Sequence, residues 1–391
     1  MSIEEVSKYV FFVCLGLLFY TYLGYGILAV LLGALRKRPT FDHSSVFNIP
    51  VSVIIPAYNE AGVIDEKIRN TLQTLSKFKD FQIILITDGS NDGSESLDFT
   101  DSRIKHLHSA ERMGKSAAIN RGMEKVSGEI VVITDANAMV NEDAIAKLVV
   151  RFQNKKTGAV SGEKKVSALE GSTGGEGFYW KYESFLKKHS AKLHSLTGAA
   201  GELLAFRKEL FKPIPADAIL DDMELSLSII KQGKVIDYEP GAYAIEPPSK
   251  SITDEFKRKV RISAGVFQTL KRNPFVFNPF KYSIFIFQFN SHRVLRWTKG
   301  IDCLLLLFVS NFFIVGDPEI NPAYFFFNWF LVLQLMFYFL VILGYLLRNT
   351  KKIPSIFFLP FYFVMMNLAV AVGFFRFLGK KESVLWNKAA R

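Results

Sequence analysis

The run ITDAN ends an apolar stretch with two oxygen-bearing side chains, Asp135 and Asn137, two residues apart. Alternate residues of an extended tip point the same way, so both can face one site. A hard divalent cation such as Mg²⁺ takes carboxylate and carbonyl oxygens together with substrate phosphates. Held here, it would bridge a diphosphate and neutralise a departing nucleotide. An Asx turn opening the next helix uses the same residues. Asp88 closes QIILITD and opens DGSNDGS. Gly and Ser after a strand end free backbone N–H groups for a ligand, and Asp88 can accept from a nucleobase or ribose or sit in an ordinary strand-to-helix turn. Asp92 reads as a helix cap.

Four further groups follow the same logic. VSVIIPAYNE ends a buried strand at Pro56 and leaves Ala57, Tyr58, Asn59 and Glu60 at its carboxyl end. Tyr58 can stack on a base and Glu60 can bind ribose; alternatively Asn59 caps the next helix. Arg112 and Lys115 in RMGKSAAIN precede a helix start, which favours anions. The phosphate-loop pattern G-x-x-x-x-G-K-[ST] is absent. Asp221 and Asp222 open the helix of ILDDMELSLSII. A carboxylate there can remove a proton from an acceptor hydroxyl, and adjacency raises one of the two pKa values; acidic bias at a helix N-terminus is the plainer reading. Arg258 and Arg261 stand three apart on one helix face and can hold a diphosphate or simply meet a membrane surface.

These groups need elements to position them. Residues 51–56, 82–88, 104–108 and 129–134 read as strands, and 62–78, 115–126 and 142–152 as helices, with Ile64, Ile68, Leu72 and Leu75 at helical spacing. Alternating strand and helix implies a mainly parallel α/β sheet, with ligands at the carboxyl ends of its strands. Residues 251–272 mix Lys257, Arg258, Lys259, Arg261, Lys271 and Arg272 with Phe256, Val260, Val266 and Phe267, as in a basic amphipathic helix on a membrane.

Composition places that membrane at both ends. The chain is 49% apolar, and 16 of its 37 Phe residues fall in the last hundred positions. Residues 9–35 carry no charge, long enough to cross a bilayer. Glu4 and Glu5 precede this run and Arg36, Lys37 and Arg38 follow it, which puts the next domain in the cytosol. Three more apolar runs cover about 297–315, 325–347 and 356–375. The acidic link 316–321 reads as external, and Arg348, Lys351 and Lys352 as internal. Three crossings would put the basic tail (Lys380, Lys381, Lys388, Arg391) outside, against its charge, so either the last segment does not fully cross or the stretch 275–289 dips into the bilayer. The net charge of +11 flanks apolar runs rather than forming a basic arm, which favours an anionic leaflet over nucleic acid. Cys14 and Cys303 lie inside apolar runs and make neither a disulfide framework nor a zinc spacing. The expected organisation is an anchor (1–38), a cytosolic catalytic domain (39–250), an interfacial segment (251–296), about three transmembrane helices (297–376) and a tail (377–391).

The order of these motifs, from strand and Asp through Gly-rich turn, Lys, Asp-x-Asn and Asp-Asp to Arg-x-x-Arg beside a membrane, resembles family 2 glycosyltransferases. The branch concerned makes cellulose, hyaluronan and poly-N-acetylglucosamine. The resemblance spans about residues 51–270. It implies an α/β GT-A fold with a mainly parallel sheet plus transmembrane helices, and inverting transfer from a nucleotide-diphosphate sugar such as a UDP-sugar. It assigns nucleotide-sugar contacts to Pro56, Ala57, Tyr58, Glu60, Asp88, Lys115 and Asp135, and Mg²⁺ or Mn²⁺ to Asp135 and Asn137. The general base would be Asp222, beside Asp221, and the acceptor or diphosphate would meet Gly198, Glu202, Arg258 and Arg261. The sequence departs from the family pattern at Asn137, where a second Asp stands, and in the Gln-x-x-Arg-Trp element, of which Arg261 remains. The acceptor would be a glycan or a lipid-linked molecule used in cell-surface polysaccharide synthesis at a cell inner membrane, with accessory export subunits as possible partners. A polyprenyl-phosphate sugar transferase and a non-catalytic export protein remain alternatives.

Overall fold

The computed structural model of the chain describes residues 1–36, 40–42, 44–166, 174–247, 251–315, 325–348, 350, 353–380, 382–383 and 385, with the backbone alone for 174–180. The link 316–321 and Lys37, Arg38, Lys351, Lys352, Lys381, Lys388 and Arg391 lie outside the described residues.

Eight strands form one sheet: β1 (Val51–Ala57), β2 (Phe81–Asp88), β3 (Ile104–Ser109), β4 (Ile130–Thr134), β5 (Met139–Val140), β6 (Thr157–Val166), β7 (Leu203–Arg207) and β8 (Val235–Glu246). Their order is β3-β2-β1-β4-β7-β6-β8-β5. The first four run parallel, as alternating strand and helix predicts. β7 then runs antiparallel to β4 and β6, while β8 is parallel to β6 and β5 antiparallel to β8. The sheet is therefore mixed.

Strands β1 and β2 are buried from end to end, which explains their near-continuous β-branched runs. Alternate residues go to opposite faces. Val53, Ile55, Ile83 and Leu85 join one core with Ile64, Ile68 and Leu75 of α3 (Ala61–Leu75) and with α5 (Ala144–Val150). Ile54, Ile84 and Ile86 join the other with Ile119 of α4 (Lys115–Met123) and Leu225 and Ile229 of α7 (Asp221–Lys231).

Register places the site. Ala57 pairs with Thr87 and Ile54 with Ile133, so β1, β2 and β4 end at the same edge. Because β7 is antiparallel, Thr134 pairs with Leu203, and Glu202 starts beside the tip that carries Asp135.

The remaining helices are apolar or amphipathic. α1 (Ile3–Phe19) and α2 (Tyr25–Ala34) join through a π-helical turn into one 32-residue apolar helix. α6 (Gly174–Leu193) ties α2 to the sheet domain: Leu186 packs with Tyr25 and Ala29, and Tyr25 Oη lies 2.7 Å from Ser190 Oγ. α8 (Ile252–Arg272) is the expected amphipathic helix. Ser251 caps it by accepting from the Asp254 N–H at 3.1 Å. α9 (Ser283–Phe289) and α10 (Leu295–Thr298) precede α11 (Gly300–Val315), α12 (Phe325–Leu346) and α13 (Ser355–Leu378).

Three described helices are long and apolar enough to cross a membrane, and a fourth span results if Ser283–Thr298 and Gly300–Val315, bent by 60°, count as one. α13 runs alongside α8. Its Phe358 cluster meets Ile252 and Phe256, and Phe374 stacks edge-on to Phe267 at 5.0 Å. The close approach needs Gly373, since a Cβ there would lie 2.5 Å from Ser263 Cβ and 2.8 Å from the Val260 carbonyl oxygen.

Candidate active site

A cavity of about 660 Å³ opens at the carboxyl edge of the parallel strands. The carboxyl end of β1 and the turn after it supply Pro56, Tyr58 and Glu60. The β4 tip supplies Asp135 and Asn137, and α4 supplies Lys115 from its first position. The residue before β7 is Glu202; α7 opens with Asp221 and Asp222; and α8 contributes Arg258 and Arg261. Six segments distant in sequence therefore meet around one space.

Within it, Lys115 Nζ lies 2.7 Å from Asp135 Oδ1 and 3.5 Å from Asp221 Oδ2. Burial pushes the ammonium down, but Asp135, Asp221 and Asp222 outweigh it and raise it above its ordinary value. Lys115 is thus a permanent cation. Asp222 moves the other way: burial first and Asp221 second push it up to about 7, against the pull of Lys115. Its Oδ1 accepts from the Met223 N–H at 2.7 Å.

Asp135 and Asn137 are half-buried while Ala136 and Ala138 are buried, the alternation expected of an extended tip. Among the described residues no cluster of three or more His, Cys, Asp or Glu is placed to hold a metal. Asp135 and Asn137 alone offer one carboxylate and one amide oxygen. That set suits a hard cation that completes its shell with substrate phosphate and water rather than with protein.

Three assignments do not reach the cavity wall. Asp88 is buried at 4% exposure and fully engaged. Its Oδ2 accepts from the N–H groups of Met113 at 3.0 Å and Gly114 at 2.6 Å, and its Oδ1 from Arg121 at 2.6 Å. It stitches the Gly89 turn to the loop that ends in Lys115. Gly89 has φ +70°, and a Cβ there would sit 2.5 Å from Arg112 Cβ, so the two loops could not close with a larger residue. Ala57 is buried within β1. Gly198 packs on Met223, where a Cβ would lie 2.7 Å from its Cε. Asn59, at φ +53°, does not cap α3 but bonds Asn91, accepting from its N–H at 2.9 Å. Asp92 caps α3 instead, accepting from the Ala61 N–H at 2.9 Å. The Arg112 guanidinium covers the Tyr58 ring at 3.5 Å.

Sequence reading passed over Lys67, Lys164 and Glu246. Lys67 is wholly buried behind the β4 tip. Its Nζ donates to Thr134 Oγ1 at 2.9 Å and to the Ala138 carbonyl, gripping both flanks of Asp135–Asn137. Burial pushes it down to about 7, against Asp135 and Glu246. The signal was a lysine on the apolar stripe between Ile64 and Ile68. Lys164 bridges Glu202 at 2.5 Å and Glu246 at 2.6 Å. Burial pushes Glu202 up, but Lys164 overrides it and holds the carboxylate well below its ordinary range.

Residues 52–214 match the family model described as Glycosyl transferase family 2. The poly-beta-1,6-N-acetyl-D-glucosamine synthase of Staphylococcus epidermidis is 25% identical over 279 residues, 68% of this chain and 66% of that protein, so the aligned region spans just under two thirds of the synthase. Glycosyltransferase AglD of Haloferax volcanii is 32% identical over 136 residues, 33% of this chain and 22% of that protein. The mannosyltransferase PcManGT from Pyrobaculum calidifontis, solved with GDP-Man and Mn²⁺, shares the fold with a TM-score of 0.67 at 21% identity, over 97% of this chain and 100% of that one. Residues 52–214 thus form a domain matched by the family 2 glycosyltransferase model, in a GT-A architecture with apolar helices on both sides.

Proposed function

We propose that the chain moves a sugar from a nucleotide-diphosphate sugar, with UDP-sugars the first candidates, to a hydroxyl of a glycan or lipid-linked acceptor, inverting the anomeric centre. The convergence of Lys115, Asp135 and Asp222 on one cavity, with Arg258 and Arg261 on its membrane-proximal wall, carries this reading. Pro56, Tyr58 and Glu60 line the end where a nucleoside fits. Lys115 and the two arginines supply fixed positive charge for the diphosphate. A divalent cation, when bound by Asp135 and Asn137, adds charge neutralisation to the leaving nucleotide; the solved fold relative contains Mn²⁺. Asp222, ionised near neutral pH, takes the acceptor proton. As the acceptor oxygen bonds the anomeric carbon, the bond to the diphosphate oxygen breaks and its electron pair leaves with the nucleotide. Asp88 serves indirectly, by holding the loop that aims Lys115.

The similarity to poly-beta-1,6-N-acetyl-D-glucosamine synthases supports a role in cell-surface polysaccharide synthesis. The positive flank Arg36–Arg38 supports a cytosolic catalytic domain at a cell inner membrane.

Purified chain, a panel of nucleotide sugars and Mn²⁺ or Mg²⁺ test the reading through released nucleoside diphosphate. Release is expected with one donor class and to fall on chelation. No release with any donor and acceptor extract would leave a non-catalytic export role.

A further inference from the structure

The apolar helix α1–α2 carries an irregularity that a simple tether does not need. It passes through a π-helical turn at Tyr20–Gly24, and a second such turn, Asn290–Val294, joins α9 to α10. Turns of this kind are rare and concentrate at functional positions. The two meet. Tyr20 Oη lies 2.8 Å from Ser291 Oγ, and the Tyr25 ring stacks on His292 at 5.5 Å. Tyr22 Oη donates to Asn367 Oδ1 of α13 at 2.8 Å. From the second turn, Arg293 Nε donates to Thr197 Oγ1 at 3.1 Å, and His292 Nδ1 lies 3.2 Å from the same oxygen. Glu183 of α6 meets the Arg293 guanidinium at 3.0 Å. Tyr25, Thr197 and His292 are each 1% exposed, so no bulk water stands ready to replace a lost partner.

Thr197 opens the run Gly198, Ala199, Ala200 and Gly201, which leads to Glu202 and β7. Such residues have no long side chain to lock into the core, so the run takes its position from its ends and its backbone. The Ala200 N–H donates to Ser161 Oγ at 2.9 Å. Gly201 comes up against the chemistry. Lys115 Nζ lies 3.5 Å from its carbonyl oxygen, and a Cβ on it would lie 3.3 Å from Asp222 Oδ2. The run is thus a partition. Gly201 and Glu202 line the catalytic cavity, while Ala199 and Ala200 line an apolar chamber of about 580 Å³ that also touches Asp222. We propose that Thr197, His292 and Arg293, seated by the π-helical turn of the N-terminal helix, are positioning residues that set this partition against Asp222 and Lys115. The N-terminal helix is then part of the active-site framework as well as a membrane anchor. A shift of about 1 Å at Gly201 would move the space in which an acceptor hydroxyl must meet Asp222, and displacements of that size cost on the order of 10²-fold in rate. The inference rests on the glycosyltransferase reading above for the purpose of the partition, and on the contacts alone for what holds it.

The test uses the full-length chain in detergent. Hydrogen exchange reads the backbone amides of residues 198–202, calorimetry reads UDP and GDP with Mn²⁺, and released nucleoside diphosphate reads transfer. Thr197→Val removes the hydroxyl oxygen with little change of shape; Thr197→Ser keeps it. Thr197→Val is expected to speed exchange of the run at least tenfold and to lower kcat about 10–100-fold, with donor KM and nucleotide affinity within about twofold of the parent. Thr197→Ser should stay within about threefold of the parent in every readout. Tyr25→Leu takes the ring off His292 and leaves Thr197 in place, and it should speed exchange of the same amides. If that change prevents folding, the two Thr197 variants carry the test. Parent-like exchange in Thr197→Val, equal losses in the valine and serine variants, a fall in nucleotide affinity that matches the fall in kcat, or parent-like exchange in a folded Tyr25→Leu variant would each overturn the inference and leave the glycosyltransferase reading standing. No release by the parent with any donor removes that reading instead, and exchange then decides by itself whether Thr197 holds the run.

Discussion

Asp222 sits at a balance of opposed effects. Desolvation and Asp221 favour its neutral form, Lys115 its charged form, and the outcome near 7 lies where a general base works best. Transfer should therefore rise with pH up to about 7 and level off above it, because the deprotonated form is the active one. Asp222→Asn should lower turnover by about 10²–10⁴-fold, remove that acidic limb, and leave nucleotide affinity within a few-fold. Turnover within about threefold of the parent would take Asp222 out of the base role. Asp135→Ala should act differently, weakening nucleotide and Mn²⁺ binding together; unchanged donor affinity by calorimetry would remove the cation from the β4 tip. Lys67 supports that tip from behind. Lys67→Met strands the Ala138 carbonyl in the core, a cost of about 1–3 kcal/mol, and should reduce Mn²⁺-dependent nucleotide binding about 10–100-fold, as lost supporting shells do. Full affinity in that variant would make Lys67 a passive core residue.

At the scale of elements, the site is built by register. Strand periodicity set which of the two cores each residue of β1, β2 and β4 enters, and their common ending aligned Ala57, Asp88 and Asp135 along one edge. The reversed direction of β7 then brought Glu202 to the same edge. No local pattern in TGAAGELLAFR reveals strand direction, because alternation and β-branching look the same either way. The α8–α13 contact is a second such feature. Gly373→Leu would force the helices apart at a point where backbone and side chain already touch. Overpacking of this kind costs about 1–3 kcal/mol, so a lower thermal midpoint in detergent is expected; an unchanged midpoint would mean the two helices are not held together there.

For the whole molecule, α13 accounts for the tail. It follows α8, ends at Leu378, and leads to Glu382, Ser383 and Leu385, which line the catalytic cavity with Arg376. Arg376 pairs with Glu382 at 2.6 Å. Residues 382, 383 and 385 thus lie on the catalytic side of the molecule. A Ser383→Cys variant should react with a membrane-impermeant maleimide in inside-out vesicles and not in right-side-out ones. The native Cys14 and Cys303 are buried and add little background. Labelling only from the opposite face would reverse the placement.

Sequence alone determined much of this protein. Hydrophobic period gave the parallel half of the sheet, α3, α8 and the apolar helices, since burial is written into spacing that a local window can read. The ordered motifs pointed to the family and to most of the cavity wall, because strand ends and helix starts are local features. The tertiary structure decided what depends on partners far along the chain. Asp88 carries the same residue type whether it faces a base or braces a loop, and only Arg121, Met113 and Gly114 distinguish the two. Lys67 and Lys164 became legible only once the carboxylates and carbonyls that surround them came together. The apolar chamber beside Asp222 has no sequence motif, because a cavity is the space between elements, and its shape exists only after they pack.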